Sequence, residues 1–167
     1  RIFEPDVFSD QRGCFFESWN RRRYQEMGLA EDFVQDNVSF SQRGVLRGLH
    51  FQNPQAQGKL IQVLQGAVFD VAVDIQIGSP TFGDWVSVEL TEQNHRQLYI
   101  PAGFAHGFAV VSETVIFSYK CTDYYHPEDE GGILWDDLDL AIPWPITDVQ
   151  VSAKDAQLPY FRNINLK

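Results

Sequence analysis

Between Val68 and Ile77 the chain alternates without a break. Phe69, Val71, Val73, Ile75 and Ile77 share one parity; Asp70, Ala72, Asp74 and Gln76 share the other, mostly polar one. A period of two marks a strand, because successive side chains leave a strand on opposite faces. Val45–Phe51, Lys59–Leu64, Trp85–Leu90 and Thr114–Cys121 are further short strand candidates, with turn signals between them at Asn53-Pro54, Gln65-Gly66, Gly78-Ser79-Pro80, Gln93-Asn94 and Pro101-Ala102-Gly103. Short strands spaced about 8–12 residues apart predict an all-β sandwich or barrel. No long helical segment lies between them, which argues against a βαβ fold. An aromatic content of 14% suits strands, and 167 residues suit a single domain over 1–167.

Helices are few and peripheral. Ser18 is placed to cap a short helix running to Met27, with Gly28 ending it. The Arg21-Arg22-Arg23 run reads as its solvated face. A second short helix is expected near Ser152, with Asp155 at a capping-box position. The chain after Trp144-Pro145 reads as a less regular tail.

Thirteen Lys and Arg stand against twenty-three Asp and Glu, a formal net charge of −10. Such a chain lacks the positive field that non-specific nucleic-acid or anionic-membrane binding requires. The longest charge-free stretch, Gln97–Ser112, contains Pro101, Gly103, His106 and Gly107; it does not read as a membrane span of about 20 apolar residues. No signal-peptide pattern opens the chain. Cys14 and Cys121 make no disulfide framework and read as buried free thiols in a reducing, cytoplasmic setting.

Four positions have chemistry to offer. His50, in Arg47-Gly48-Leu49-His50-Phe51-Gln52, is either a satisfied structural histidine or a base. Strict alternation puts Arg47 and His50 on opposite faces, but Gly48 between them is a site for a bulge or a close backbone approach, and a bulge turns both side chains toward one cavity. Lys59 shares parity with Ile61 and Val63. A lysine there either reaches solvent at the strand end or pairs with an anion, because an unpaired buried ammonium is costly. Tyr119 shares parity with Val115 and Phe117, so it points inward and Lys120 outward. Its hydroxyl is either a satisfied core group or a general acid. Pro101-Ala102-Gly103-Phe104-Ala105-His106 resembles the second metal motif of the cupin barrel. The first motif fails, since Phe51 and Gln52 follow His50, and two histidines fall short of a metal site. The expectation is a metal-free barrel with no cofactor. His95 and His126 read as surface residues.

Several segments together resemble the dTDP-4-dehydrorhamnose 3,5-epimerase family. They are Arg12–Ser18, Phe33–Asn37, Gly44–Gln52, Gln57–Leu60, Gly66–Asp74, Ser79–Gly83, Ile100–Phe108 and Tyr119–Tyr125. The resemblance implies a cupin-type β-jelly roll, a homodimer and no metal. The implied substrate is dTDP-4-dehydro-6-deoxy-glucose, inverted at C3 and C5 on the way to dTDP-L-rhamnose, a polysaccharide precursor. Both carbons flank the C4 ketone, so proton loss gives an enolate and reprotonation from the opposite face inverts the centre. By motif match His50 is the base, Asp155 orients it, Lys59 stabilises the enolate oxygen and Tyr119 is the acid. Arg12, Arg47 and Lys154 match diphosphate contacts and Tyr125 a base-stacking aromatic. Glu17, Gln35, Asp36, Asn37, His106 and Glu130 match other substrate contacts. The Arg12–Glu17 segment is implied to reach the partner subunit's site. A single-centre epimerase, a non-catalytic sugar-nucleotide-binding cupin and a metal-dependent oxygenase are the competing readings.

Overall fold

A computed structural model describes residues 1–166. The strands are β1 (Ile2–Phe3), β2 (Val7–Asp10), β3 (Gly13–Phe16), β4 (Gln35–Gln42), β5 (Leu46–Gln52), β6 (Lys59–Gln65), β7 (Ala67–Asp74), β8 (Trp85–Thr91), β9 (Gln97–Ile100), β10 (Phe104–Val110), β11 (Thr114–Cys121) and β12 (Glu130–Gly132). One helix, α1 (Arg21–Glu26), and short 3-10 turns lie outside the sheets. Two five-stranded antiparallel sheets, ordered β1-β9-β6-β11-β4 and β12-β5-β10-β7-β8, face each other, and β2-β3 forms a separate hairpin. This is the all-β barrel that so many short strands predict, in the jelly-roll form that the resemblance implies.

The barrel interior is filled by Ile61, Val63, Val115 and Phe117 from the first sheet against Val68, Ala72, Leu90, Phe108 and Val110 from the second. A second core covers the outside of the second sheet. There Leu49, Phe51, Val71, Val73 and Ala105 meet Ile133, Leu140 and Ile142, with Trp144, Phe161 and Ile164 of the tail packed on top. This layer explains the strongest pattern in the sequence. The apolar parity of β7 faces the tail, and the parity carrying Asp70 and Ala72 points into the barrel. Both faces of β7 are buried, so its alternation marks two interiors rather than an inside and an outside. Ile77 lies beyond the end of the strand and is exposed.

β4 inverts the usual pattern. Its polar residues Gln35, Asn37, Ser39 and Ser41 turn inward, while Val38 (67% exposed) and Phe40 (60%) face out on an edge strand. Propensity alone does not find such a strand.

The helix starts two residues later than expected. Asn20, not Ser18, is its cap, accepting from the Arg23 amide at 3.3 Å. Gly28, at φ +86°, ends it as anticipated. Its three arginines are exposed, pairing Arg21 with Asp32 and Arg23 with Glu17. The helix near Ser152 is a single 3-10 turn, Asp155–Gln157, and Ser152 Oγ accepts the Asp155 amide at 3.0 Å. Cys121 is buried, but Cys14 is exposed on the hairpin, against expectation. Among the described residues, no helix is long and apolar enough to cross a membrane.

Candidate active site

Gly48 shapes the site. His106 of β10 pairs with His50 of β5, and Phe108 pairs with Arg47, so β5 carries an extra residue between the two pairs. This is the bulge anticipated from the sequence. Gly48 sits at φ +118°, and a Cβ there would lie 2.6 Å from both Gly107 Cα and His106 O. Only glycine permits that conformation and that approach. The bulge turns Arg47 to the same side as His50, and the two line one cavity of about 410 Å³ with Glu130, Lys154 and Asp155.

His50 and Glu130 also line an adjoining cavity of about 360 Å³, with Gln35, Asn37, Lys59, Tyr119 and Tyr125. The two sheets supply its opposite walls. His50 comes from β5 of the second sheet, and Lys59 and Tyr119 come from β6 and β11 of the first.

His50 Nε2 lies 2.7 Å from Asp155 Oδ1, and the other carboxylate oxygen accepts the Gly48 amide at 3.2 Å. With Nε2 donating to a carboxylate, Nδ1 keeps the lone pair and is the basic atom. Burial pushes the Asp155 carboxyl up, but His50, Gly48 and Ser152 outweigh it and hold the group below the usual range. Asp155 is therefore an anion across the neutral range.

Lys59 Nζ lies 5.8 Å from the centroid of the Tyr119 ring. Burial lowers its pKa, opposed by Cys121, Asp70 and Glu130. Burial and Cys121 raise the Tyr119 phenol, opposed by Asn37 and Arg47. Tyr119 is thus a protonated phenol at neutral pH, the form a general acid needs.

At the mouth, Tyr125 Oη donates to Glu130 Oε2 at 2.6 Å and Lys154 Nζ donates to the same oxygen at 2.5 Å. Burial acts to raise Glu130, but Lys154 and Tyr125 outweigh it and hold the carboxyl low. Gln52 was not expected in the site, yet it is buried and anchors the loop that carries Tyr125. Its amide donates to Tyr124 O at 3.3 Å, and its carbonyl accepts the His126 amide at 2.9 Å. The parity it shares with His50 was the available signal. Phe51 and Gln57 complete the lining.

Other expected residues lie elsewhere in this chain. Asp36 is exposed on the outer face of β4, where it pairs with Lys120 at 2.9 Å; alternation along β4 sends it away from the cavity that Gln35 and Asn37 line. Arg12 sits on the hairpin turn, paired with Asp10. Glu17 pairs with Arg23 at 3.5 Å beside the helix. His106 is buried and lines neither cavity, with Nε2 2.9 Å from Asp70 Oδ2. Each cupin-motif histidine thus binds a carboxylate. His95 packs on Phe16, and His126 lies near Asp123 and Glu128 at the surface.

A family model for dTDP-4-dehydrorhamnose 3,5-epimerase matches residues 1–163. The chain belongs to this family. It is 57% identical over 158 residues to the Pseudomonas aeruginosa dTDP-4-dehydrorhamnose 3,5-epimerase, covering 93% of this chain and 87% of that one. A crystal structure of the Legionella pneumophila 3,5-epimerase in complex with dTDP-4-keto-L-rhamnose superposes with a TM-score of 0.95 at 57% identity, covering 98% of this chain and 88% of that one. The 3'-monoepimerase ChmJ of Streptomyces bikiniensis superposes with a TM-score of 0.88 at 34% identity, covering 95% and 82%. This 3,5-epimerase family fold is the cupin-type jelly roll described above, and its members named here are sugar-nucleotide isomerases.

Proposed function

We propose that the chain inverts both C3 and C5 of dTDP-4-dehydro-6-deoxy-glucose, in dTDP-L-rhamnose biosynthesis in the cytoplasm. The observation that supports this mechanism is that His50 and Tyr119 line one cavity from opposite sheets. His50 Nδ1 takes the proton from the carbon beside the C4 ketone, leaving an enolate. Tyr119 Oη gives a proton to the other face of that carbon, and the centre inverts. Solvent then returns the imidazolium and phenolate to their starting forms. Lys59 meets the negative charge on O4, which is common to both enolates, so one lysine serves both centres. Asp155 fixes the imidazole tautomer and favours the imidazolium formed on abstraction. Arg47 and Lys154 supply local positive charge for the diphosphate against a net charge of −10, and Tyr125 stacks on the base. No cofactor takes part in this scheme.

The chain acts as a homodimer. Phe8 (66% exposed) and Phe15 (70%) stand open on a hairpin that adds no strand to either five-stranded sheet, and the uncovered face of edge strand β4 carries Val38 and Phe40. Such apolar faces on an edge and a hairpin are suited to pairing with a second copy. That pairing carries Arg12 and Glu17 toward the partner subunit's cavity.

The test is direct. Purified protein is incubated with dTDP-4-dehydro-6-deoxy-glucose, and the product is reduced and its configuration read by NMR. Inversion at both carbons supports the double epimerase. Inversion at one carbon makes it a single-centre epimerase, and binding without turnover a non-catalytic cupin.

A further inference from the structure

One buried acid outside the mechanism keeps an oxygen without a partner among the described residues. Asp70 is fully buried, and it projects into the barrel from β7 beside Val68 and Ala72. Its Oδ2 is 2.9 Å from His106 Nε2, while Oδ1 is buried with no hydrogen-bond partner among the described residues. His106 is held in turn, stacked on Phe117 at 6.1 Å between centroids and an interplanar angle of 17°. Burial pushes the Asp70 carboxyl up, opposed by His106 and Lys59; a carboxylate oxygen kept from water and left unpaired is costly, so an Asp70 anion calls for a cation. The cation present in the same interior is Lys59, which feels Asp70 electrostatically and makes no side-chain hydrogen bond among the described residues.

We propose that Asp70 is a positioning residue: steadied by His106, its carboxylate is the counter-ion that keeps Lys59 protonated and aimed at the cavity. This rests on the reading of Lys59 as the group that meets the enolate oxygen. A neutral amine there offers a far weaker field to developing charge, and burial alone drives lysine toward that form. The groups facing Lys59 are Tyr119 and Cys121 of β11, Asp70 of β7, His50 of β5 and Glu130 of β12, with His106 of β10 bound to Asp70. Cys121 is a thiol whose pKa burial raises, and Glu130 is already bound to Lys154 and Tyr125. Asp70 is the acid in this group with an oxygen to spare.

The test is Asp70→Asn, which keeps the shape and a polar partner for His106 but removes the charge. NMR of protein labelled with 15N-lysine follows Lys59 itself, without turnover. The expected result is a Lys59 titration displaced to lower pH in the variant, with the alkaline limb of kcat displaced the same way. At neutral pH kcat falls about 10-fold or more while KM is little changed. An unmoved Lys59 titration overturns the proposal, since a packing role lowers stability without touching that titration. If Lys59 shifts while kcat and its pH profile do not, Asp70 holds the lysine, and it is the catalytic reading of Lys59 that fails. Should the variant not fold, the wild-type spectrum decides. A Lys59 ammonium beside an ionised Asp70 carboxylate at pH 7 supports the proposal, and a neutral Lys59 amine at pH 7 contradicts it.

Discussion

His50 and Asp155 meet at 2.7 Å across 105 positions of sequence. A local feature at each end makes the contact. At one end Gly48 bulges β5 and donates its amide to the same carboxylate. At the other, Ser152 Oγ accepts the amide of Asp155, the first residue of the 3-10 turn.

Gly48→Ala tests the first feature. The added Cβ meets backbone of β10 at 2.6 Å, which side-chain motion cannot relieve. We expect a loss of about 2 kcal/mol or more in urea unfolding, and a fall in turnover in whatever protein still folds. A variant of wild-type stability contradicts the account of the bulge.

Asp155→Asn tests the second. The folded-state carboxyl titrates below its ordinary value. A group depressed in this way stabilises the fold above its unfolded pKa, and that contribution is lost as pH falls through the folded pKa. The wild type therefore loses melting temperature in that acid window, and the variant shows a flatter profile there. At neutral pH, turnover in the variant falls about 10²-fold, because the imidazole loses its orienting anion. Overlapping acid profiles for the two proteins would contradict the pairing.

His50→Asn removes the base while leaving Arg47, Lys154 and Tyr125 in place. Turnover drops about 10³-fold, while dTDP affinity measured by calorimetry stays within a few-fold of wild type. Near-normal turnover removes His50 from this role.

Phe40→Asp puts a charge on the uncovered face of β4. We expect sedimentation to show a monomer, and turnover to fall because Arg12 and Glu17 no longer reach a second cavity. A monomer with full turnover would show that each chain completes its own site.

The legible part of the molecule is the part in which local chemistry and final position agree. β11 was readable to its end residues because Val115, Phe117 and Tyr119 point inward and Lys120 points out. The Gly48 bulge was readable because a glycine stood where alternation failed to bring Arg47 and His50 together. β4 was not readable, because its polar side lines the cavity and its apolar side is bare. Asp70 was hidden for a related reason. Its polar parity reads as a solvent face until the tail is seen to cover the other side of β7. Asp36, unlike Gln35 and Asn37, illustrates the limit of motif matching within one chain, since adjacent positions on a strand face opposite ways.

The central claim is that one enolate oxygen, one base and one acid serve both carbons. Deuterium wash-in tests it most directly. The wild type, Tyr119→Phe and Lys59→Met are each incubated with dTDP-4-dehydro-6-deoxy-glucose in heavy water, and C3 and C5 are followed by NMR. The account predicts label and inversion at both carbons in the wild type. In Tyr119→Phe label still enters but inversion falls steeply, and in Lys59→Met exchange slows about 10²-fold or more at both carbons together. Label confined to one carbon, or a Tyr119→Phe variant that loses exchange and inversion equally, would contradict it.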